Sequence, residues 1–578
     1  MRYLAKYLKP YRRQCVVGPI CKLIEAILEL ILPTIMAYMI NDGVVHQDRS
    51  VVARLGILMI AMVFIGFGFS MVCQYNAALA SQGFGTDMRN LMFAHIQKFS
   101  YQDIEHFGTS SLVNRLSNDI NQLQLAVAML IRLVIRSPFI VIGAVVMAMF
   151  LDFRLSLILL AAVPFIGLIL FLFIRFSTPL YKIYQKKLDK FASILQDYFS
   201  GIRVIRAFVS QKREKKRVME NINDLQAQMM KVARLSALLN PCTALVINGA
   251  VIILLYQGAF QIQSGVLEPG TIVAFINYAS SILIALVALS NLIVIFTKAG
   301  ASAQRVKEVL QYEPTMEEGR ETIAPEEKAH TEDVLQFDHV SFSYGDGEEA
   351  VTDIDIKIRR GETIGIIGGT GAGKTTLVNL MCRFYDPGRG SVKLYGRELP
   401  RLRNEEIRRC ISVVPQVNEL FYGTIRENIA FGREDTSDED ILQALEDAQA
   451  SEFIRELPQK LDTIVERGGA NFSGGQRQRL CIARALLRGP AILILDDSSS
   501  ALDFKTDAGL RHAIRDHLPD TTKIIVSQRV GTLLACDRIL VMKDGKAAGF
   551  AKHSLLFDTC QAYRDICDTQ EIGKEGAV

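Results

Sequence analysis

Thr363 to Thr376 read T-I-G-I-I-G-G-T-G-A-G-K-T-T. The run Thr363-Ile364-Gly365-Ile366-Ile367 has the pattern of a buried strand, and Thr376 to Phe384 that of a helix. Between them, Gly368 to Thr375 (G-G-T-G-A-G-K-T) match a phosphate-binding P-loop. Gly368, Gly369, Thr370, Gly371, Ala372 and Gly373 are expected to curl backbone N–H groups around phosphate oxygens at a positive helix N-terminus. Lys374 is expected to reach the β- and γ-phosphates, and the Thr375 hydroxyl, beside Thr376, to ligand Mg²⁺. A nucleoside triphosphate with Mg²⁺ is therefore the expected ligand.

Downstream, the apolar run Ile492-Leu493-Ile494-Leu495 ends in Asp496-Asp497. A carboxylate at the end of a buried strand belongs beside the magnesium, which is the role expected of Asp496. Gln528 follows in S-Q-R, and Ser473-Gly474-Gly475-Gln476 lie between. Gln416 stands in V-V-P-Q, and Tyr344 in V-S-F-S-Y upstream of the P-loop. From residue 334 onward strand-like and helix-like segments alternate, which predicts an α/β domain on parallel strands. Before it, residues 311–333 carry Pro314, Pro325 and many acids, including Glu313, Glu317, Glu321, Glu327 and Asp333, and read as an exposed acidic linker.

The first 310 residues are of another kind. Half of the 578 residues are hydrophobic, and the excess is concentrated here. Spans of about 20 apolar residues can be read near 16–40, 55–80, 127–151, 155–175, 238–261 and 271–297. The first is interrupted by Lys22, Glu25 and Glu29, and the third carries Arg132 and Arg136. Lys and Arg crowd the segment 176–237, including K-R-E-K-K-R at 212–217, which places this segment and both termini in the cytoplasm. Segments 81–126 and 176–237 read as helical arms with breaks near Phe107–Ser110 and Gly201–Phe208. Lys22, Glu25 and Glu29 share one helix face, either lining a path for cationic cargo or neutralising itself. The basic N-terminus reads as an interfacial helix without a cleavage site. The ten cysteines lack metal-site or disulfide spacing and read as reduced thiols. A net charge of +4 says little as a total, and no nucleic-acid partner is expected.

In the order of these motifs the chain resembles the ATP-binding cassette (ABC) transporters of the exporter type, over essentially its whole length. The resemblance implies a six-span α-helical transmembrane domain (1–310) with long cytoplasmic arms, the linker (311–333) and an α/β P-loop ATPase domain (334–578). It implies that Tyr344 stacks on adenine, that Gln416 meets the metal, and that Ser473, Gly474, Gly475 and Gln476 form the signature motif. Phe472 departs from the Leu usual before that motif. Ser500-Ala501-Leu502-Asp503 is similar to the D-loop, with Asp503 acting in trans like the signature. Glu466-Arg467-Gly468 resembles the segment that senses the arms, which are expected to touch the ATPase domain near Asp103–Ser111 and Val204–Gln211.

Two positions depart where chemistry happens. The residue after the magnesium aspartate is usually Glu and the switch residue usually His; here they are Asp497 and Gln528. Asp retracts the carboxylate by roughly 1.5 Å, and Gln cannot carry imidazolium charge. The resemblance therefore implies a degenerate site that holds ATP but cleaves it slowly. The expected partner is a similar, non-identical half-transporter, as in bacterial heterodimeric multidrug exporters. The expected cargo is an amphipathic, membrane-soluble molecule, and the expected location the bacterial plasma membrane. A slow homodimer and a nucleotide-binding regulatory subunit are the alternatives.

Overall fold

The computed structural model describes residues 4–345, 347–433, 435–498, 502–574, 576 and 577. The chain divides into two compact units: Met1–Lys98 with Gly108–Tyr312, and Phe99–Phe107 with Glu313–Val578. Each is helical or α/β as its sequence pattern dictates.

The first unit begins with a 3-10 helix, Leu4–Tyr11, in the basic N-terminus read as an interfacial helix. Its helices follow in order: α1 (Arg12–Tyr38), α2 (Arg49–Ile96), then, after the short α3 (Tyr101–Phe107) of the other unit, α4 (Thr109–Asn114), α5 (Ile120–Arg132), α6 (Arg136–Leu151), α7 (Phe153–Ser200), α8 (Ile202–Ala207), α9 (Gln211–Gln263) and α10 (Pro269–Gln311). Among the described residues, five stretches are long and apolar enough to cross a membrane: Arg49–Ile96, Thr109–Leu151, Phe153–Ser200, Gln211–Gln263 and Pro269–Gln311. The 48 residues of α7 extend roughly 72 Å, more than twice a hydrocarbon core of about 30 Å. The remainder forms an arm, and α7 ends and α9 begins on either side of the break expected near 201–208, where α8 lies with Phe208 and Val209 exposed in the single chain.

Of the six expected spans, α1 is the one not among those five, because of Lys22, Glu25 and Glu29. It is nonetheless an unbroken helix in the same core, where Ala26, Leu30 and Ala37 pack with Ile140, Ala144, Leu159, Phe275 and Tyr278. Tyr278 donates to the Leu30 carbonyl at 2.9 Å, and the Gly270 N–H to Asn41 Oδ1 at 2.7 Å, tying α1 and the segment just after it to α10. Its charges are paired: Lys22 with Glu25 at 2.6 Å, and Arg136 of α6 with Glu29 at 2.6 Å. Unpaired charges inside a bilayer are costly, so this geometry favours the self-neutralised face over free carboxylates awaiting a cation. Outward-facing Phe64, Ile60 and Phe67 on α2 are exposed, as lipid contact requires.

In the second unit, one sheet is antiparallel in the order β2-β1-β4-β5, made of β1 (Asp333–Ser343), β2 (Glu349–Arg359), β4 (Arg389–Leu394) and β5 (Arg397–Glu398). The other contains β3 (Thr363–Gly368), β6 (Ile411–Val414), β9 (Ile492–Asp496), β10 (Thr522–Val526), β11 (Arg538–Lys543) and β12 (Lys546–Ala551), in the order β12-β11-β3-β10-β9-β6. All its pairings are parallel except β11 with β12. The short strands β7 (Gly423–Thr424) and β8 (Ile464–Val465) pair with each other. The parallel strands are buried on both faces, which explains their unbroken apolar runs.

The acidic segment is mostly exposed or half-buried, yet it is fastened at several points. Ile323 is buried in the core, Glu321 and Glu327 both accept from Arg397 (3.0 and 2.6 Å), and Lys328 pairs with Glu406 at 2.6 Å. Two of its acids thus share one arginine of the domain that follows, and part of the segment forms the helix α11 (Pro325–His330). Segment 99–107 is held in the same unit: Tyr101 packs on Phe384 with centroids 4.7 Å apart, Tyr385 donates to Glu105 at 3.3 Å, and Asp103 accepts from the Thr315 N–H at 3.2 Å. The contact expected over Asp103–Ser111 is thus centred on 100–105. Gly108, at φ 75°, opens the turn that ends it.

Candidate functional site: a nucleotide pocket at the strand ends

Parallel pairing brings the motifs together. Ile366 of β3 pairs with Val526 of β10, Val526 with Asp496 of β9, and Leu495 with Val414 of β6. The loops leaving these four strands are therefore adjacent at one edge of the sheet. They carry the P-loop, Gln528, Asp496-Asp497 and Gln416. Ligands bind at the carboxyl ends of strands in such open α/β sheets.

The P-loop runs from β3 into the helix α12 (Lys374–Met381). Gly371 (φ 81°) and Gly373 (φ 94°) adopt left-handed backbone, and a Cβ on Gly373 would meet the Ala350 carbonyl oxygen at 2.7 Å. Only glycine takes that shape at little cost. Gly369, Thr370 and Thr375 are exposed, while Gly368, Ala372 and Thr376 are buried. Lys374 Nζ donates to the Gly368 and Gly369 carbonyls at 2.9 and 2.8 Å, so the lysine spans its own loop.

Asp496 is 5% exposed. Burial, then Asp497, push its carboxyl up to about 6, against the pull of Lys374. Burial also raises Asp497, against Lys374 and Arg529, and lowers Lys374, against both aspartates. Two carboxylates thus face one lysine. Hard oxygen donors short of positive charge fit Mg²⁺, with Thr375 as the adjacent hydroxyl. Asp497 has φ 48°, a left-handed conformation that Asp tolerates better than longer side chains, and its N–H donates to the Val526 carbonyl at 2.9 Å. Gln416, just past β6, and Gln528, just past β10, are exposed.

Tyr344 lies against α12: its hydroxyl donates to Thr376 Oγ1 at 3.3 Å and accepts from Asn379 at 3.4 Å. Its ring meets Phe342 and Tyr385 edge-on, with centroids 4.9 and 5.2 Å apart. Tyr385, missed in the sequence, joins this aromatic group to segment 99–107; an aromatic beside Phe384 carried no motif signal.

Ser473 caps the helix Gly474–Leu487. Its Oγ accepts from the Gln476 N–H at 3.3 Å, and Gln476 Oε1 from the Ser473 N–H at 2.9 Å, a reciprocal capping box. Gly474 is exposed and Gly475 half-buried, leaving the helix N-terminus open to approach. Phe472 is buried against Phe453, so the departure from Leu keeps the apolar anchor. Ser500 and Ala501 of the D-loop-like stretch lie outside the described residues. Asp503 is exposed and caps the helix Phe504–His517, where the Thr506 N–H and hydroxyl hold its carboxyl below the usual range.

Comparison with known proteins agrees with this architecture. Residues 15–287 match the model of the ABC transporter transmembrane region, and residues 351–500 that of the ABC transporter. An uncharacterized ABC transporter ATP-binding protein, YfiB of Bacillus subtilis (strain 168), is 37% identical over 579 residues, covering 100% of both chains. An ATP-dependent lipid A-core flippase of Chromobacterium violaceum is 29% identical, covering 98% of this chain and 97% of its own. The fold is shared with a bacterial Atm1-family ABC exporter solved with ATP bound, at a TM-score of 0.81 and 22% identity, over 97% of this chain and 99% of that one. The chain belongs to the ABC transporter family: a multi-pass integral membrane protein in which a helical transmembrane domain and an ATP-binding ATPase domain, coupled to transport, share one polypeptide.

Proposed function

We propose that this chain is one subunit of a heterodimeric exporter of amphipathic small molecules or lipids, with six spans counting α1 and both termini cytoplasmic. Its domains are the transmembrane region 1–310, the linker 311–333 and the ATPase domain 334–578. The observation that carries the proposal is the pair of departures, Asp497 and Gln528, on neighbouring strand ends beside an otherwise complete P-loop. The flippase relative supports an amphipathic cargo.

In this reading Gly368 to Thr376 cradle the ATP phosphates, with Lys374 leaving its loop carbonyls for the β- and γ-phosphates, and Tyr344 stacks on adenine. Asp496, Thr375 and Gln416 would hold Mg²⁺, which neutralises charge on the phosphates when bound. Asp497 orients water poorly from its retracted position, and Gln528 offers the γ-phosphate an uncharged hydrogen bond. Ser473 to Gln476 and Asp503 act on ATP held by a partner chain that carries the complete Glu and His. ATP draws the two ATPase domains together, and segment 99–107 passes that motion to the spans.

A slow homodimer is the second reading, favoured by the intact signature helix in the same chain. Turnover of Mg²⁺-ATP by the chain alone in lipid discs, with retained nucleotide quantified, separates the two. Retention with almost no turnover supports the degenerate half-site. Robust turnover abolished by Lys374→Ala makes Asp497 a working base and removes the need for a second gene product.

A further inference from the structure

Gln570 follows the helix Gln561–Thr569 and has no place in the motifs read from the sequence. Its Nε2 donates to the Gln528 carbonyl at 2.8 Å, and its Oε1 accepts from the Val530 N–H at 2.9 Å. The opposite amide orientation would face donor with donor and acceptor with acceptor, so the partners dictate the assignment. One side chain therefore grips the backbone on both sides of Arg529, as a neighbouring strand would. Across the loop, the Ser527 N–H donates to the Ile366 carbonyl at 3.1 Å, and Ser527 Oγ accepts from the Arg529 N–H at 3.0 Å. The loop is thus pinned from β3 on one side and from the C-terminal helix on the other.

That helix is a firm mount. Tyr563 and Cys567 are fully buried in a cluster with Val530, Leu533 and Ile539, and the Tyr563 hydroxyl bonds His553 Nδ1 at 2.8 Å. Gln528 itself is exposed, so the direction of its side chain follows from the backbone that Gln570 holds. We infer that Gln570 is a positioning residue for the switch loop, and that the C-terminal helix sets where Gln528 meets the γ-phosphate. The inference rests on the reading of Gln528 as the γ-phosphate contact. Only glutamine supplies donor and acceptor at this reach: Glu lacks the donor and Asn is one methylene short.

The test measures Mg²⁺-ATP and Mg²⁺-ADP affinities of the full-length chain in lipid discs, by displacement of a fluorescent nucleotide. ADP lacks the γ-phosphate, so a positioning role moves ATP alone, whereas general damage moves both. Gln570→Ala is expected to weaken ATP about tenfold, the worth of roughly one hydrogen bond, with ADP unchanged. Gln570→Glu, which keeps the volume and the Val530 acceptor but sets a carboxylate against the Gln528 carbonyl, is expected to weaken ATP similarly while slow exchange of the Val530 amide persists. In a Gln528→Ala background, Gln570→Ala should add nothing. Equal losses for ATP and ADP in both Gln570 variants, or full additivity with Gln528→Ala, would overturn the inference. So would a normal ATP-to-ADP ratio in Gln570→Ala when Gln528→Ala has changed it. If Gln528→Ala leaves the ratio unaltered, the switch reading fails first and the inference falls with it.

Discussion

Asp497→Glu probes the proposed degeneracy most directly. The added methylene advances the carboxylate by roughly 1.5 Å. A misplacement of about 1 Å costs about 100-fold in rate, or ~2.7 kcal/mol. The backbone opposes the change: residue 497 has φ 48°, and a Glu there costs roughly 1 kcal/mol more than an Asp, which tolerates left-handed backbone better. If the whole of that cost fell on the active arrangement, the net gain would still exceed tenfold. Adding Gln528→His, which can carry charge to the γ-phosphate, should raise turnover further. The assay is phosphate release at saturating Mg²⁺-ATP from discs holding two copies of the chain, so that each P-loop can meet a signature helix. Lys374→Ala in the same background sets the zero. A rate for Asp497→Glu within twofold of the native chain, with ATP retention and thermal stability intact, refutes the argument that carboxylate reach limits this site.

Lys374→Ala removes charge-assisted bonds worth about 1.5–3 kcal/mol; nucleotide retention should fall ten- to a hundredfold, and undiminished retention would exclude the P-loop reading. Arg136→Leu leaves Glu29 unpaired in the bundle. Glu29 is 42% exposed, so the loss should be about 2 kcal/mol, below that of a fully buried pair, and the further change Glu29→Gln should recover most of the melting temperature in discs. Glu362 is pushed up by burial, but the Arg538 guanidinium (2.6 Å) and the Arg359 N–H outweigh this and hold its carboxyl below the usual range. A depressed carboxyl stabilises the fold above its unfolded value and loses that contribution as pH falls through the folded one. Glu362→Gln should therefore melt lower than the native chain at neutral pH and converge with it in acid; a constant gap across that range would count against the ion pair.

The nucleotide site was legible because its signals are local. A strand, a glycine loop and the start of a helix make the P-loop within fourteen consecutive residues, and Asp496 is marked by the apolar run that precedes it. Their convergence was implied as well, since parallel strands of one sheet end at one edge. The spans were legible for a similar reason: about 20 apolar residues satisfy a bilayer whatever their neighbours do.

The charged face of α1 shows where local reading stops. Sequence placed Lys22, Glu25 and Glu29 on one face, but only packing brought Arg136, 107 residues away, to Glu29. The linker shows the same: nothing in its composition announced that Glu321 and Glu327 share Arg397, or that Lys328 reaches Glu406. Gln570 carries no motif at all, and its role depends on a helix docking forty residues beyond the loop it grips. By itself the sequence determined the elements, the order of the strand-end motifs and the chemistry each can perform, because these follow from periodicity and residue type within short windows. Tertiary structure alone decided which charges are neutralised, which segments are held and how the switch loop is braced. Those contacts join residues distant in the chain, and their energies arise only once packing has brought the partners within hydrogen-bonding distance.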